Sequence, residues 1–353
     1  MPLIIDGGRI PAGWAEREGW RSGRSADSSD SRAECIKIAL INNMPDAALE
    51  DTELQFFELL NAAAEDSLLL VKLFSLPKIP RSDRGQEHLN SFYFGIEDLL
   101  SSQFDGVIIT GTEPRHSDLR QEPYWSLLAD VLDWAEENTA STVLSCLAAH
   151  AGVLHSDGIG RHALDDKQFG IFDDRRVSDH VLTSGTSEPM RFPHSRWNEV
   201  REDALTSSGY SVLTKSAEAG VNLFVKKKKK SLFVHFQGHP EYGAGTLWKE
   251  YRRDIKRFLR RERPTYPKMP HGYFGDTATR ALDEFRETAL SHPSEERLAE
   301  FPEVDMGDGL ESVWRSSAAR IYGNWLQYVV AKRARTAVYA ASASNRISAT
   351  WSR

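Results

Sequence analysis

Cysteine is scarce in this chain. Cys35 and Cys146 are the only two in 353 residues, too few for a disulfide framework and suited to a reducing compartment. Long apolar runs are missing, so no segment reads as a membrane span. The N-terminus, MPLIIDGGRIPAG, has no basic segment followed by a long apolar one. No signal peptide is expected, and the cytoplasm is the expected location. Positive charge is not in excess: the formal net charge is −7, which speaks against nucleic acid as a partner. No internal repeat is present, and no metal site is expected.

What is there suits a globular protein. With 40% hydrophobic and 27% charged residues, the chain can bury one large core or two smaller ones. Residues 1–33 form an irregular N-terminal segment whose run Arg21 to Ser31 reads as a solvated linker. A main domain covers 34–330, and 331–353 is a basic, Ala/Ser-rich tail, with no acidic residue after Glu311, that reads as a helix extension or a loose tail.

Within the main domain, Ile36–Ile41, Ser67–Phe74, Asp105–Gly111 and Ser141–Ser145 read as strands. Helical spacing over Glu50–Ala64 and from Trp125 onward places helices between them. That alternation predicts an α/β sheet, with an active site outside the carboxyl ends of its strands. After residue 175 the pattern changes. Val221–Val225 and Ser231–Phe236 flank five lysines, Lys226 to Lys230, which read as an anion patch or as a solvated hairpin turn. Thr246–Arg261 is a basic helix, 262–312 is Pro-rich and then weakly helical, and Trp314–Val330 is an aromatic helix expected on the sheet.

Two stretches carry chemistry. Cys146 stands between the strand Ser141–Ser145 and a helix opening at Leu147. A thiol at the positive end of a helix is activated, although a buried inert cysteine gives the same local pattern. Ala148, Ala149 and Gly152 leave room for a sharp bend. Further on, Gly238-His-Pro-Glu241 follows a strand end. His239 and Glu241, two apart, point the same way in an extended segment. A carboxylate there fixes the imidazole as a base for a thiol; the same residues also suit an ordinary turn.

Cysteine, histidine and glutamate in this order resemble the class I glutamine amidotransferase layout. Those enzymes keep glycines two residues either side of the cysteine, where this chain has Leu144 and Ala148. From about Ile36 to Tyr328 the chain more closely resembles the homoserine O-acyltransferases. Matching segments include Ile41–Pro45, Thr52–Gln55, Phe104–Gly111, Lys167–Phe172, Pro193–Arg196, Gly238–Tyr242, Glu250–Asp254 and Asn324–Tyr328, all in order.

The resemblance implies an α/β, class I glutamine amidotransferase-like (flavodoxin-like) parallel sheet flanked by helices, with 34–330 as the acyltransferase domain. It implies O-acylation of L-homoserine at the opening of methionine biosynthesis, with succinyl-CoA or acetyl-CoA as co-substrate and no bound cofactor. Cys146 would carry the acyl group, His239 would be base and acid, and Glu241 would hold it. Lys167, Ser195 and Arg253 would bind substrate, and the Leu147 N–H would stabilise the oxyanion. The position that selects the acyl group falls on Arg115, which would favour succinyl through its distal carboxylate. Serine as acceptor, glutamine hydrolysis and homodimerisation stay open. Where the family has Trp, Gln and a lysine after Met-Pro, this chain has Leu147, His150 and Asp46–Asp51. Side-chain help to the oxyanion from that last segment stays open.

Overall fold

The computed structural model describes residues 3–6, 21–22, 35–65, 67–304, 310 and 312–350, with 21–22, 312 and 336–350 as backbone only. Its strands are β1 (Leu3–Ile5), β2 (Arg21–Ser22), β3 (Ile36–Ile41), β4 (Leu69–Phe74), β5 (Gly106–Ile109), β6 (Ser141–Ser145), β7 (His162–Arg176), β8 (Met190–Glu199), β9 (Ser211–Ser216), β10 (Gly220–Lys228) and β11 (Ser231–Phe236). Helices are α1 (Asp46–Ala63), α2 (Asp83–Phe92), α3 (Ile96–Ser101), α4 (Trp125–Asn138), α5 (Leu147–Asp157), α6 (Glu202–Ser207), α7 (Thr246–Leu259), α8 (Asp276–Ser291) and α9 (Ser312–Thr350).

The apolar runs β5, β6 and β11 are buried along their whole length. Only a sheet covered on both faces satisfies such strands. They lie in one eleven-stranded sheet of order β2-β1-β4-β3-β5-β6-β11-β10-β9-β7-β8. From β4 to β11 all neighbours are parallel. Numbered along the chain, those five strands run 2-1-3-4-5, the flavodoxin-like order, whose switch point lies between β3 and β5. Beyond β11 the sheet continues antiparallel through β10, β9, β7 and β8. This is the expected α/β arrangement, a flavodoxin-like parallel sheet flanked by helices.

One face is covered by α1 and α9, where Phe56, Phe57 and Leu60 meet Ala318, Tyr322 and Trp325. Trp325 also donates from Nε1 to Ser141 Oγ at 2.9 Å. The other face is covered by α4 and α5 through Leu128, Val131, Ala148 and Ala149. A third cluster joins Phe169 and Ile171 of β7 to Tyr251 of α7, Leu282 of α8 and Trp314 of α9. Residues 266–301 thereby brace α7 from outside.

Several expectations shift. Leu3–Ile5, inside the supposedly irregular first 33 residues, is a buried strand paired with β4. The Ser-rich run lies outside the described residues beyond 22. Helix α1 begins at Asp46 rather than Glu50, because the Ser82 N–H and Oγ both donate to Asp46 Oδ2 at 2.6 Å and tie its first turn to α2. Of the two readings of the tail, the helix extension is the one found: α9 continues past 331 as far as Thr350. The lysine run is a hairpin: Lys226 to Lys228 belong to β10. Lys226 meets Asp157 at 2.6 Å and Lys229 meets Glu137 at 3.3 Å. Those lysines neutralise helix carboxylates. No helix among the described residues is long and apolar enough to cross a membrane.

Candidate active site

Cys146 joins β6 to α5 with φ 52° and ψ −111°, a backbone position that L-residues avoid and that functional turns retain. Its N–H donates to the Phe236 carbonyl at 2.8 Å, tying the bend to the end of β11. The first N–H groups of α5 have no intrahelical partner, and Leu147 supplies the first of them. Gly111, ending the run after β5, stands against it. A Cβ at Gly111 would meet the Leu147 nitrogen at 3.0 Å and its Cβ at 2.8 Å, so a side chain there would fill the space above the helix start.

The end of β11 brings the imidazole. His239 is 6% exposed and Glu241 3%. His239 Nδ1 and Glu241 Oε1 lie 2.9 Å apart, which leaves Nε2 for the thiol, and the Cys146 side chain is within hydrogen-bond reach. Ser145 Oγ donates to the same Glu241 oxygen at 3.0 Å. Burial by itself lowers the His239 pKa. The charges and hydrogen bonds of Cys146 and Glu241 outweigh it and hold the imidazolium well above its ordinary range.

Two arginines add positive charge on the same side. Arg161 donates to the His116 and Ser117 carbonyls, each at 3.0 Å. Arg196, 4% exposed, donates to the Asn198 carbonyl at 2.9 Å and to the Ala219 carbonyl. Among the described residues neither has a carboxylate within ion-pair distance, and both feel the charge on Cys146.

Lys167, Ser195 and Arg253, scattered in sequence, converge on Glu250. Its Oε2 lies 3.1 Å from Lys167 Nζ, 2.5 Å from Ser195 Oγ and 3.9 Å from Arg253 Nη2. Burial raises the Glu250 pKa, but Lys167, Ser195, Tyr242 and Arg253 more than reverse it and keep the carboxylate ionised. Arg253 also grips Asp254 at 3.1 Å and keeps 43% of its side chain exposed.

Arg115 stays outside this assembly. Its side chain is exposed, and its N–H and that of His116 donate to Glu122 Oε1 at 2.6 and 2.7 Å. Glu113 of the same loop lies 3.7 Å from Arg257, and its charge acts on Arg253. His150 is neutral, its pKa pushed down to about 3 by burial, and is paired with Gln237 Oε1 at 2.9 Å. Among the described residues no group of His, Cys, Asp and Glu is placed to hold a metal ion.

With this geometry in place, the relatives can be named. The homoserine O-succinyltransferase family matches residues 13–336. The chain belongs to that family. A homoserine O-succinyltransferase from Rhodopseudomonas palustris is 44% identical over 303 residues, 86% of this chain and 90% of that one. One from Bradyrhizobium japonicum is 40% identical over 330 residues, 93% and 99% of the two chains. A solved glutamine amidotransferase from Thermotoga maritima overlaps 83% of this chain and 98% of its own, at 13% identity and a TM-score of 0.46.

The protein is thus a transferase of the homoserine O-succinyltransferase family. Reading residue types along its sequence did not single out Glu250, Tyr242, Ser145, Arg161 or Arg196. Glu250 opened a matching segment but was given no role of its own. Its partners come from β7, β8 and the turn after β11, and no local spacing reports that.

Proposed function

We propose that this enzyme moves a succinyl group from succinyl-CoA to the hydroxyl of L-homoserine by a ping-pong route, the opening step of methionine biosynthesis. The observation that carries this reading is the pairing of Cys146–His239–Glu241 with a second polar cluster around Glu250, joined through Tyr242.

In the first half, the Cys146 thiolate attacks the thioester carbonyl. The oxyanion of the tetrahedral intermediate lies toward the Leu147 N–H at the positive end of α5. The C–S bond to CoA breaks, and the departing thiolate takes a proton from the His239 imidazolium. The exchange of one thioester for another is nearly balanced in energy. In the second half, neutral His239 takes the proton of the acceptor hydroxyl, whose oxygen attacks the acyl-enzyme. The Cys146 thiolate leaves and the ion pair with His239 is restored. Glu241 keeps the imidazole in one tautomer throughout.

The second cluster suits an amino acid. Arg253 offers a guanidinium fork to the α-carboxylate, Glu250 offers a carboxylate to the ammonium, and Lys167 and Ser195 hold Glu250 in place. Leu144 and Ala148, where glutamine amidotransferases have glycine, weigh against glutamine hydrolysis. Serine is one methylene shorter than homoserine. Hydrophobic fit to a methylene is worth only about 1–3 kcal/mol, so homoserine rests on family membership.

The test is the mass of the intact protein after incubation with succinyl-CoA, acetyl-CoA or glutamine. A succinyl adduct on Cys146 that homoserine discharges is the expected result. An absent adduct, or one formed only with glutamine, would overturn the reading.

A further inference from the structure

A line of buried polar groups leads from β7, on the antiparallel side of the sheet, to the backbone of His239. Asp174 of β7 and Asn222 of β10 are both 0% exposed. In the pairing of β10 with β9, Val221 faces Lys215 and Leu223 faces Thr214, so Asn222 is the extra residue of a bulge. Bulges bend a strand and re-aim a side chain. Here Asn222 Nδ2 donates to Asp174 Oδ2 at 2.6 Å, and Asn222 Oδ1 accepts from the Gly238 N–H at 2.8 Å. Thr214 Oγ1 donates to the same Asp174 oxygen at 2.8 Å.

Gly238 is tightly enclosed. A Cβ there would lie 2.9 Å from Asn222 Oδ1, from His194 Nε2 and from the Pro193 carbonyl. The next N–H, that of His239, donates to the Pro193 carbonyl at 2.8 Å. Both peptides that lead into the imidazole are therefore held, one of them only through Asn222.

We propose that Asp174 and Asn222 are positioning residues for His239. The ionised Asp174 carboxylate fixes the Asn222 amide, which holds the Gly238 peptide and so sets the imidazole against Cys146. This rests on the reading of Cys146 and His239 as the reacting pair.

The electrostatics make the device sensitive to pH. Burial pushes the Asp174 carboxyl up to about 7, against the pull of Asn222, Thr214 and the Arg196 charge, while Asp173 adds to the rise. The charged neighbours are thus Arg196 on β8 and Asp173 on β7. His194 on β8 is held neutral by burial, and β9 and β10 present the uncharged Thr214 and Asn222. Asp174 Oδ1 has no hydrogen-bond partner. Protonation would put an O–H where nothing accepts it and weaken the bond from Asn222. Because the folded value lies above the ordinary 3.8, folding binds this proton more tightly, and stability falls as pH rises toward 7. The ionised form is therefore the less stable fold and, by this proposal, the better aligned enzyme.

Alkylation of Cys146 by iodoacetamide reads the thiol–imidazole pair without any acyl donor or acceptor. Cys35 is 0% exposed, and peptide mass identifies the labelled thiol. In the unmodified enzyme the labelling rate should show an inflection near the Asp174 value. In Asp174→Asn that inflection should vanish, and labelling above it should fall about tenfold, short of the 10²-fold that a 1 Å misplacement can cost. Asn222→Ala should behave alike. An inflection unchanged in Asp174→Asn would overturn the proposal. Should that variant not fold, Thr214→Val removes one donor and should move the inflection to higher pH; an unmoved inflection is then the overturning result. If labelling follows Asp174 while no acyl adduct forms, the assigned reaction falls and the positioning stands.

Discussion

Tyr242 lies flat against His239, with ring centroids 4.1 Å apart and planes 17° from parallel, and its hydroxyl donates to Glu250 at 2.7 Å. One side chain therefore touches both the base and the carboxylate around which Lys167, Ser195 and Arg253 gather. Under the proposed ping-pong route, the contact would give a physical route by which an occupied acceptor site aligns the imidazole for the second half-reaction.

Tyr242→Phe keeps the stack and removes only the bond to Glu250. A hydrogen bond to a charged group is worth about 1.5–3 kcal/mol. Acylation of Cys146 by succinyl-CoA should proceed at its normal rate, while kcat/KM for the acceptor should fall at least about tenfold. Single-turnover acylation measured beside steady-state acceptor kinetics separates the two. Slowed acylation would instead place Tyr242 with the donor.

The backbone of Cys146 offers a second expectation. At φ 52° and ψ −111° any side chain is strained, by about 1–3 kcal/mol. Cys146→Ala should abolish turnover and leave the fold intact. Cys146→Gly should be equally inactive yet melt higher than the alanine variant by roughly 1–2 °C per kcal/mol relieved. Equal melting temperatures would mean that the bend is not strained.

These features were legible in the sequence to different degrees. The strand Ser141–Ser145 was readable to its last residue, because five apolar or small residues before a helix of small side chains have few other solutions. The hairpin on either side of Lys229 was also readable. Strand β7 was not. It spans His162–Arg176, but Asp165, Asp166, Lys167, Asp173 and Asp174 break the alternation, since its residues serve the polar cluster around Glu250 and a buried polar network as well as a core. Cys146, His239 and Glu241 could be paired in advance because each follows a strand end. Glu250 and Asn222 could not, one being an unremarkable helix carboxylate and the other acquiring its aim from a bulge.

His239 links the site to the pH dependence of stability. Burial lowers its pKa, but Cys146 and Glu241 raise it well above the ordinary 6.5. A raised value means stability that is fully present below the unfolded pKa and is lost as pH rises through the folded one. Glu241→Gln removes one of the two supports. Its melting temperature should therefore fall furthest below that of the unmodified enzyme at about pH 6, with the gap shrinking as pH rises. Calorimetry across that range checks the sign; a gap that widens with pH would reverse the assignment.

The last expectation concerns the acyl donor. Glu122 pins the Arg115 and His116 N–H groups through one oxygen, at 2.6 and 2.7 Å, so the loop after β5 has a fixed path. On that path Glu113 turns toward Arg257, 3.7 Å away, and Arg115 keeps its side chain exposed and its guanidinium unpaired among the described residues. An unpaired guanidinium is available to a distal carboxylate, which succinyl carries and acetyl lacks, and a bidentate grip favours it further. Arg115→Glu replaces attraction by repulsion. The mass added to Cys146 should then change from mostly succinyl to mostly acetyl when both donors are supplied together. Glu122→Ala removes the acceptor, frees the loop without altering the Arg115 charge and should weaken the preference without reversing it. Efficient acetylation and no succinylation of the unmodified enzyme would remove Arg115 from donor selection and leave the choice to Glu113.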